Sequence, residues 1–358
     1  MHYFLLNDTR SGLHHGCEVV VQNLMNEIYK HDPKAEIITL CTGQTISEEK
    51  WEVALQSVDV VLINGEGTLH SASAYGLFLL QLGHQAKLKN KFVALINSTW
   101  ENNPDSWFDL IKNFNLIALR DQKSFRTLDK YKLPQLHYAP DLTFLSASQI
   151  LEKSIYKSEE VIINDSVYAE VADQLFDFAQ SRKFNYYPIT RKLPTTKGAI
   201  GYNQKKINKL RIYNILSKIS LGLFRPRRFY QDLLYAIDNT KDFKQKLTQS
   251  DLVITGRYHC LCFCLQMQIP VLIIASNTDK MKNLLEDIGL NDRHIKLEEL
   301  MQLSTNELHQ RAQYSNDEFK KLQCFNEQAK KLHSHIFNII DLLRKSLLQV
   351  YPVYQCSD

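Results

Sequence analysis

The stretch Asp251–Ala275, DLVITGRYHCLCFCLQMQIPVLIIA, constrains the fold more tightly than any other part of the chain. Leu252–Thr255 is a short apolar run with β-branched residues, the pattern of a strand buried on both faces. Gly256 is expected to supply the unusual dihedrals of a tight exit from that strand. Tyr258–Met267 is apolar almost all round, which predicts a buried helix, and Pro270 opens a further strand at Val271–Ala275. Arg257 and His259 fall at or before the first turn of that helix, where N–H groups and the helix dipole favour an anion. A guanidinium, an imidazole and a helix N-terminus together make a phosphate or carboxylate site. The structural alternative is an arginine paired to a core carboxylate and a histidine capping a buried helix.

The rest of the chain repeats this alternation. Apolar runs at Tyr3–Leu6, Glu36–Leu40, Asp59–Ile63, Phe92–Ile96 and Leu116–Leu119 predict five strands separated by helical patterns, an α/β unit with a parallel sheet. Four of them end in Asn7-Asp8, Asn64-Gly65-Glu66-Gly67, Asn97-Ser98 and Arg120-Asp121. Ligands of open parallel sheets bind beyond such strand ends. A second unit restarts at Val161–Ile163, which ends in Asn164-Asp165-Ser166, and a helix at Met281–Ile288 should stop at Gly289. From Asn306 to about Gln349 the pattern is long, charged and helical. The expected organisation is therefore residues 1–150, residues 151–303 with a basic insertion at 178–231, and a helical brace and tail at 304–358. With 358 residues, two cores are the default.

Charge adds one distinction. The net charge of +4 hides a block, Phe178–Gln231, with no acidic residue and 13 Lys and Arg, so the remainder carries 30 basic and 39 acidic residues. Within it, KKINKLRIYNILSKISLGLFRPRRFY (Lys205–Tyr230) mixes cations with Leu, Ile, Phe and Tyr at helical spacing, as in helices that lie on anionic membranes. Neither a stacking platform nor a recognisable nucleic-acid module is visible, so no nucleic-acid partner is expected. The seven cysteines include no CxxC pair, and Cys260, Cys262 and Cys264 spread around one buried helix as small core fillers. No apolar run reaches the roughly 18 residues of a spanning helix. The expected setting is the cytoplasm, either soluble or peripheral on the inner face of the cytoplasmic membrane.

At this point the chain resembles the polysaccharide pyruvyl transferase family. The resemblance is strongest over Val253–Leu290, VITGRYHCLCFCLQMQIPVLIIASNTDKMKNLLEDIGL, with weaker echoes in VLINGEGTL (Val61–Leu69), ALRDQKSF (Ala118–Phe125) and YAPDLTF (Tyr138–Phe144). It implies a GT-B-like fold of two Rossmann-like domains facing across a cleft. It also implies transfer of the enolpyruvyl part of phosphoenolpyruvate to a pair of sugar hydroxyls, forming a ketal and releasing phosphate. By the same resemblance Arg257 and His259 hold the donor phosphate, Arg120 and Lys280 match the family's further cations, and Ser276-Asn277 form the polar turn before Lys280. The family's N-x-G-D turn is replaced by NDTRSGLHHGCE (Asn7–Glu18), and its triple glycine by Gly65-Glu66-Gly67.

Those departures nominate the acceptor side. Glu66, between two glycines, is a candidate catalytic base or acceptor ligand, and Asp8 has a similar claim. Asn7, Gly65, Gly67, His14 and His15 are candidates for holding an anionic sugar or lipid-linked saccharide. His259 either hydrogen-bonds phosphate or acts as general acid. No metal site is expected, because the adjacent histidines and His70 lack a helical-spaced carboxylate. No cofactor is expected beyond phosphoenolpyruvate or a nucleotide-sugar as co-substrate. The alternative reading is a glycosyltransferase on the same scaffold, using a nucleotide-activated sugar for capsule, lipopolysaccharide or glycoconjugate assembly.

Overall fold

The computed structural model describes residues 1–146, 160–192, 235–275 and 277–350, with positions 208, 212, 215, 216 and 219. The chain forms two compact units. One contains Met1–Thr9, Gln22–Leu145 and Gln328–Asp358, the other Arg10–Val21 and Ser146–Glu327.

Unit 1 is built on a wholly parallel six-stranded sheet, β1 (His2–Asp8), β2 (Glu36–Cys41), β3 (Val60–Glu66), β4 (Phe92–Ser98), β5 (Leu116–Leu119) and β6 (Leu136–Tyr138). The order is β2-β1-β3-β4-β5-β6. Every residue of β3 and β4 is buried, which is why these strands read as unbroken apolar runs. The helices are α1 (His15–His31), which belongs to this unit from Gln22 onward, α2 (Glu48–Ser57), α3 (Ala74–Leu88), α4 (Phe108–Ile111) and α5 (Gln122–Asp129). Asp121 starts α5 by accepting the Ser124 N–H at 2.8 Å. Trp51 of α2 is fully buried and meets the Phe4 ring edge-on at 5.2 Å.

Unit 2 carries a four-stranded parallel sheet in the order β10-β9-β7-β8, from β7 (Val161–Ser166), β8 (Asn185–Tyr186), β9 (Leu252–Gly256) and β10 (Val271–Ile273). Around it lie α6 (Ala169–Arg182), α7 (Thr240–Thr248), α8 (Tyr258–Gln266), α9 (Lys280–Ile288), α10 (Leu297–Gln302) and α11 (Thr305–Ala312), followed by α12 (Asn316–Val350). All nine residues of α8 are buried, as its uniformly apolar sequence requires. Gly289 ends α9 in the left-handed region, φ 79°.

Three sequence expectations change. The strand expected at Val271–Ala275 is only Val271–Ile273, and β6, unforeseen because it is three residues long, closes the first sheet. The long C-terminal helical pattern is two helices broken at residues 313–315. Buried Arg293 donates to the carbonyls of Ala312 and Gln313, so the end of α11 is satisfied by a cation rather than by continuing the helix. The units also do not follow chain order. Residues 10–21 group with the second sheet, and the C-terminal region divides between Glu327 and Gln328, inside α12. Both divisions fall inside long helices, α1 and α12, which a boundary drawn on composition does not detect.

Two histidines are buried neutral. Burial pushes His333 of unit 1 down to about 4, against smaller opposing contributions from Asp141 and Pro140. It pushes His15 of unit 2 down to about 3, helped by Arg191. Both folded values lie below the unfolded 6.5, so the unfolded chain binds more protons and stability falls as pH drops below 6.5. Each histidine should contribute a slope of about 1.4 kcal/mol per pH unit between 6.5 and its folded value. Denaturation midpoints measured at pH 7, 6 and 5 should decline accordingly, and His333→Met should flatten the decline while lowering the midpoint at pH 7.

Candidate active site

The turn from β9 into α8 is organised by a buried carboxylate. Asp165, at the end of β7, is fully buried and accepts the Ile189 N–H at 2.9 Å. Its Oδ2 also receives Arg257 Nε at 2.5 Å and an ion pair from the same guanidinium. Thr255 Oγ1 accepts the Arg257 N–H at 2.9 Å and donates to Asn164 Oδ1 at 2.7 Å, fixing the backbone of the turn. Arg257 thus does pair with a core carboxylate, yet its side chain remains 20% exposed and its backbone caps α8. Gly256 lacks a positive φ. A Cβ there would lie 2.5 Å from Ser166 Cβ, so its role is close approach of β7 to β9 rather than an unusual dihedral.

His259, in the first turn of α8, is 7% exposed. Lys280, the first residue of α9, lies 5.9 Å over the Tyr258 ring and reaches Asn277 Oδ1 at 3.5 Å. Ser276 falls outside the described residues. His14 comes from the start of α1, in the same unit, and its ring stands edge-on to His259 with centroids 5.2 Å apart. Gly16 permits this contact, since a Cβ there would lie 2.2 Å from His259 Cβ and Cγ. Burial lowers His14 well below the ordinary histidine value, and His259, Arg257, His15 and Lys280 lower it further. Arg257, His259, Lys280, Asn277 and His14 are therefore neighbours in unit 2, at the N-terminus of α8.

The remaining sequence candidates lie in unit 1, at the ends of β1, β3 and β4. Asn7 (φ 67°), Glu66 (φ 39°) and Asn97 (φ 55°) all adopt the left-handed region there. Such a backbone is tolerated by asparagine but costs a glutamate about 1–3 kcal/mol. Glu66 is 5% exposed, and its Oε1 accepts Thr9 Oγ1 at 2.5 Å and Asn64 Nδ2 at 2.9 Å. Asn7 Nδ2 donates to the Asn64 carbonyl at 2.6 Å and to Thr68 Oγ1 at 3.1 Å. Asp8 is fully buried, and Gly67 occupies the half-buried turn after β3. Gly65 serves packing, because a Cβ would lie 2.3 Å from Ser98 Oγ.

Burial corrects two assignments, and a third residue is placed by its neighbour. Arg120 is 1% exposed and bonded to Asp141 Oδ2 and Thr99 Oγ1, each at 2.9 Å, so it is a buried structural cation rather than part of the phosphate turn. His15 is fully buried, stacks on Phe243 at 4.4 Å and pairs with Thr240 Oγ1 at 3.1 Å, which removes it from an acceptor surface. His14 stands beside His259 within unit 2. The residue overlooked in sequence was Asp165. Its signal was the likeness of Asn7-Asp8-Thr9 and Asn164-Asp165-Ser166, each ending the first strand of its unit.

Gly16 supplies a direct check on this geometry. Alanine in an exposed helix usually gains up to about 1 kcal/mol over glycine. Here Gly16→Ala should instead destabilise by about 1–3 kcal/mol through overpacking against His259, measured as a lower urea midpoint.

Comparison with known proteins places this arrangement. No curated protein matches the chain. Among solved structures, UDP-GlcNAc 2-epimerase of Methanocaldococcus jannaschii in complex with UDP-GlcNAc and UDP has a TM-score of 0.53 at 11% identity, covering 94% of this chain and 100% of that one. The S. aureus MnaA–UDP co-structure has a TM-score of 0.52 at 13% identity, covering 94% and 97%. At such identities the likeness establishes the fold alone, GT-B-like with two Rossmann-like units. The family model described as polysaccharide pyruvyl transferase matches residues 14–278, a span that holds both His14 and the Arg257–His259 turn. The protein is a transferase and belongs to the polysaccharide pyruvyl transferase family.

Proposed function

We propose that the protein transfers the enolpyruvyl part of phosphoenolpyruvate to two hydroxyls of a saccharide acceptor in surface polysaccharide assembly. The observation that carries this reading is the gathering of Arg257, His259 and Lys280 at the N-terminus of α8. The phosphate and carboxylate of the donor are both anions, and a helix N-terminus with fixed cations suits either. Asp165 orients the guanidinium fork, leaving the partly exposed part of the group to meet the donor.

A proton is added to the donor methylene carbon, the first acceptor hydroxyl bonds to the adjacent carbon, and the second displaces phosphate from it. One hydroxyl proton replaces the proton consumed, and the other leaves with phosphate. His259 is assigned the proton delivered to carbon, while Arg257 and Lys280 stabilise the departing phosphate. Glu66 and Asp8 are the acceptor-side carboxylates, with Asn7 and Gly67 beside them. Glu66 occupies a left-handed backbone position where the family has glycine, so a carboxylate is retained there against strain.

We further propose that residues 205–230 seat the enzyme on the anionic inner face of the membrane, where a lipid-linked acceptor is met. Most of this segment lies outside the described residues. The described positions Ile212, Ile215, Leu216 and Ile219 are helical and 45–71% exposed, an apolar stripe amid basic sequence. No helix among the described residues is long and apolar enough to cross a membrane.

Two measurements test the reading. With phosphoenolpyruvate and a saccharide diol, phosphorus NMR should show release of inorganic phosphate, and Arg257→Lys should lower kcat/KM by about 100-fold, because a point charge cannot reproduce a two-pronged contact. Turnover of a UDP-sugar without consumption of phosphoenolpyruvate would establish the glycosyltransferase alternative instead. In flotation with anionic liposomes at low salt, the protein should rise with the vesicles and release as salt increases. Failure to bind removes the membrane assignment.

A further inference from the structure

His14 precedes the first residue of α1, at a position usually filled by a small oxygen-bearing side chain. Here the imidazole does that work. Its Nδ1 faces the N–H of Gly16 at 3.1 Å and, more weakly, the N–H of Cys17 at 3.4 Å. A backbone N–H only donates, so Nδ1 must offer its lone pair. A neutral imidazole with an accepting Nδ1 carries its proton on Nε2. Protonating Nδ1 would set one donor against two others and open the first turn of the helix.

The surroundings reinforce that state. Facing the ring are His259 from α8, Arg257 from the turn before it, Lys280 from α9, and His15 on its own helix. All of these oppose a positive charge, as does burial. Cys17, three residues along α1, completes the neighbourhood and is half-buried. The buried carboxylate of this turn, Asp165, is engaged by Arg257. His14 is itself half-buried, whereas His259 is 7% exposed.

Resting on the reading of this turn as the donor site, we propose that His14 is a neutral Nε2–H hydrogen-bond donor to the anionic substrate beside His259, and neither a base nor a titrating acid. A neutral donor of fixed tautomer stabilises charge on a departing phosphate without having to hold a proton of its own. It also divides the labour of the two histidines, leaving the mobile proton to His259. The geometry argues against the other chemistry open to these side chains. His14, Cys17 and His259 present ligand atoms within 4.8 Å of one another. A metal on Nε2 would require His14 to lose its remaining proton while Nδ1 still accepts, and a metal on Nδ1 would break the cap. Arg257 and Lys280 also disfavour a divalent cation at this position.

Long-range proton–nitrogen NMR of the full chain labelled at histidine tests the assignment directly, with the His14 signals identified by their loss in His14→Gln. The Nε2–H tautomer should persist from pH 8 to pH 5.5, and its proton should shift on adding phosphoenolpyruvate or inorganic phosphate. An Nδ1–H tautomer, an imidazolium above pH 6, or stoichiometric zinc binding lost in Cys17→Ser would each overturn it. In kinetics, His14→Ala should lower kcat by about 100-fold, the usual cost of a missing oxyanion donor, and His14→Gln, which keeps an N–H, by about tenfold or less. The acid limb of the pH–rate profile should stay in place in His14→Gln. Its displacement would show that His14 titrates in the reaction and refute the proposal. If the wild type fails to consume phosphoenolpyruvate, the substrate reading falls and this role falls with it. A correct tautomer measured alongside would show that the fault lies in the substrate.

Discussion

Asp165 is a carboxylate fully enclosed by protein, and Arg257 is the cation that balances it. Leaving such a group without its partner costs about 3–5 kcal/mol, so the pairing is a requirement of the fold as well as an ornament of the site. Its consequences run outward in contact order. Arg257 is held by its side chain and, through Thr255, by its backbone, which sets where α8 begins. The start of α8 sets His259, and the bare Cα of Gly16 lets the first turn of α1 close on that ring. A charge buried for stability thereby aims a guanidinium and two imidazoles at the same helix end.

Unit 1 places its polar residues by a different device. Left-handed residues sit near the ends of β1, β3 and β4, and side-chain amides add cross-strand bonds there. Asn7, Asn64 and Asn97 link neighbouring strand ends, with Asn97 Nδ2 donating to Asn64 Oδ1 at 3.4 Å and its Oδ1 accepting the Leu142 N–H at 3.0 Å. Asparagine suits these positions because its short amide offers both donor and acceptor and, at Asn7 and Asn97, tolerates positive φ. Glu66 does not share that tolerance. Its retention in a backbone made for glycine singles it out among the acceptor-side candidates.

The buried cations show how one residue type takes opposite parts. Arg120, Arg257 and Arg293 all lie near the ends of secondary structure, and each has a carboxylate within reach. Arg120 and Arg293 are almost wholly enclosed, with Asp141 and with Glu318 and two carbonyls respectively, so their charge is spent on holding chain segments together. Arg257 retains exposure on one side. Solvent access at one edge, rather than the presence of a carboxylate partner, separates the cation that can meet a ligand from those that cannot.

The sequence by itself determined the elements and the class of fold. Strands buried on both faces carry continuous apolar runs, and the helix after β9 is apolar around its whole circumference, so these signals are local and survive without tertiary knowledge. The Arg257–His259 turn was legible for the same reason: strand, turn and helix start lie within a few residues. Tertiary structure decided partnership. The Asp165–Arg257 pair spans 92 residues, and the meeting of His14 with His259 spans far more. Whether Arg120 faces ligand or core, and whether His14 or His15 reaches the site, depends on which distant segment covers each side chain. Periodicity along a chain records which face is buried, and it carries no record of what buries it.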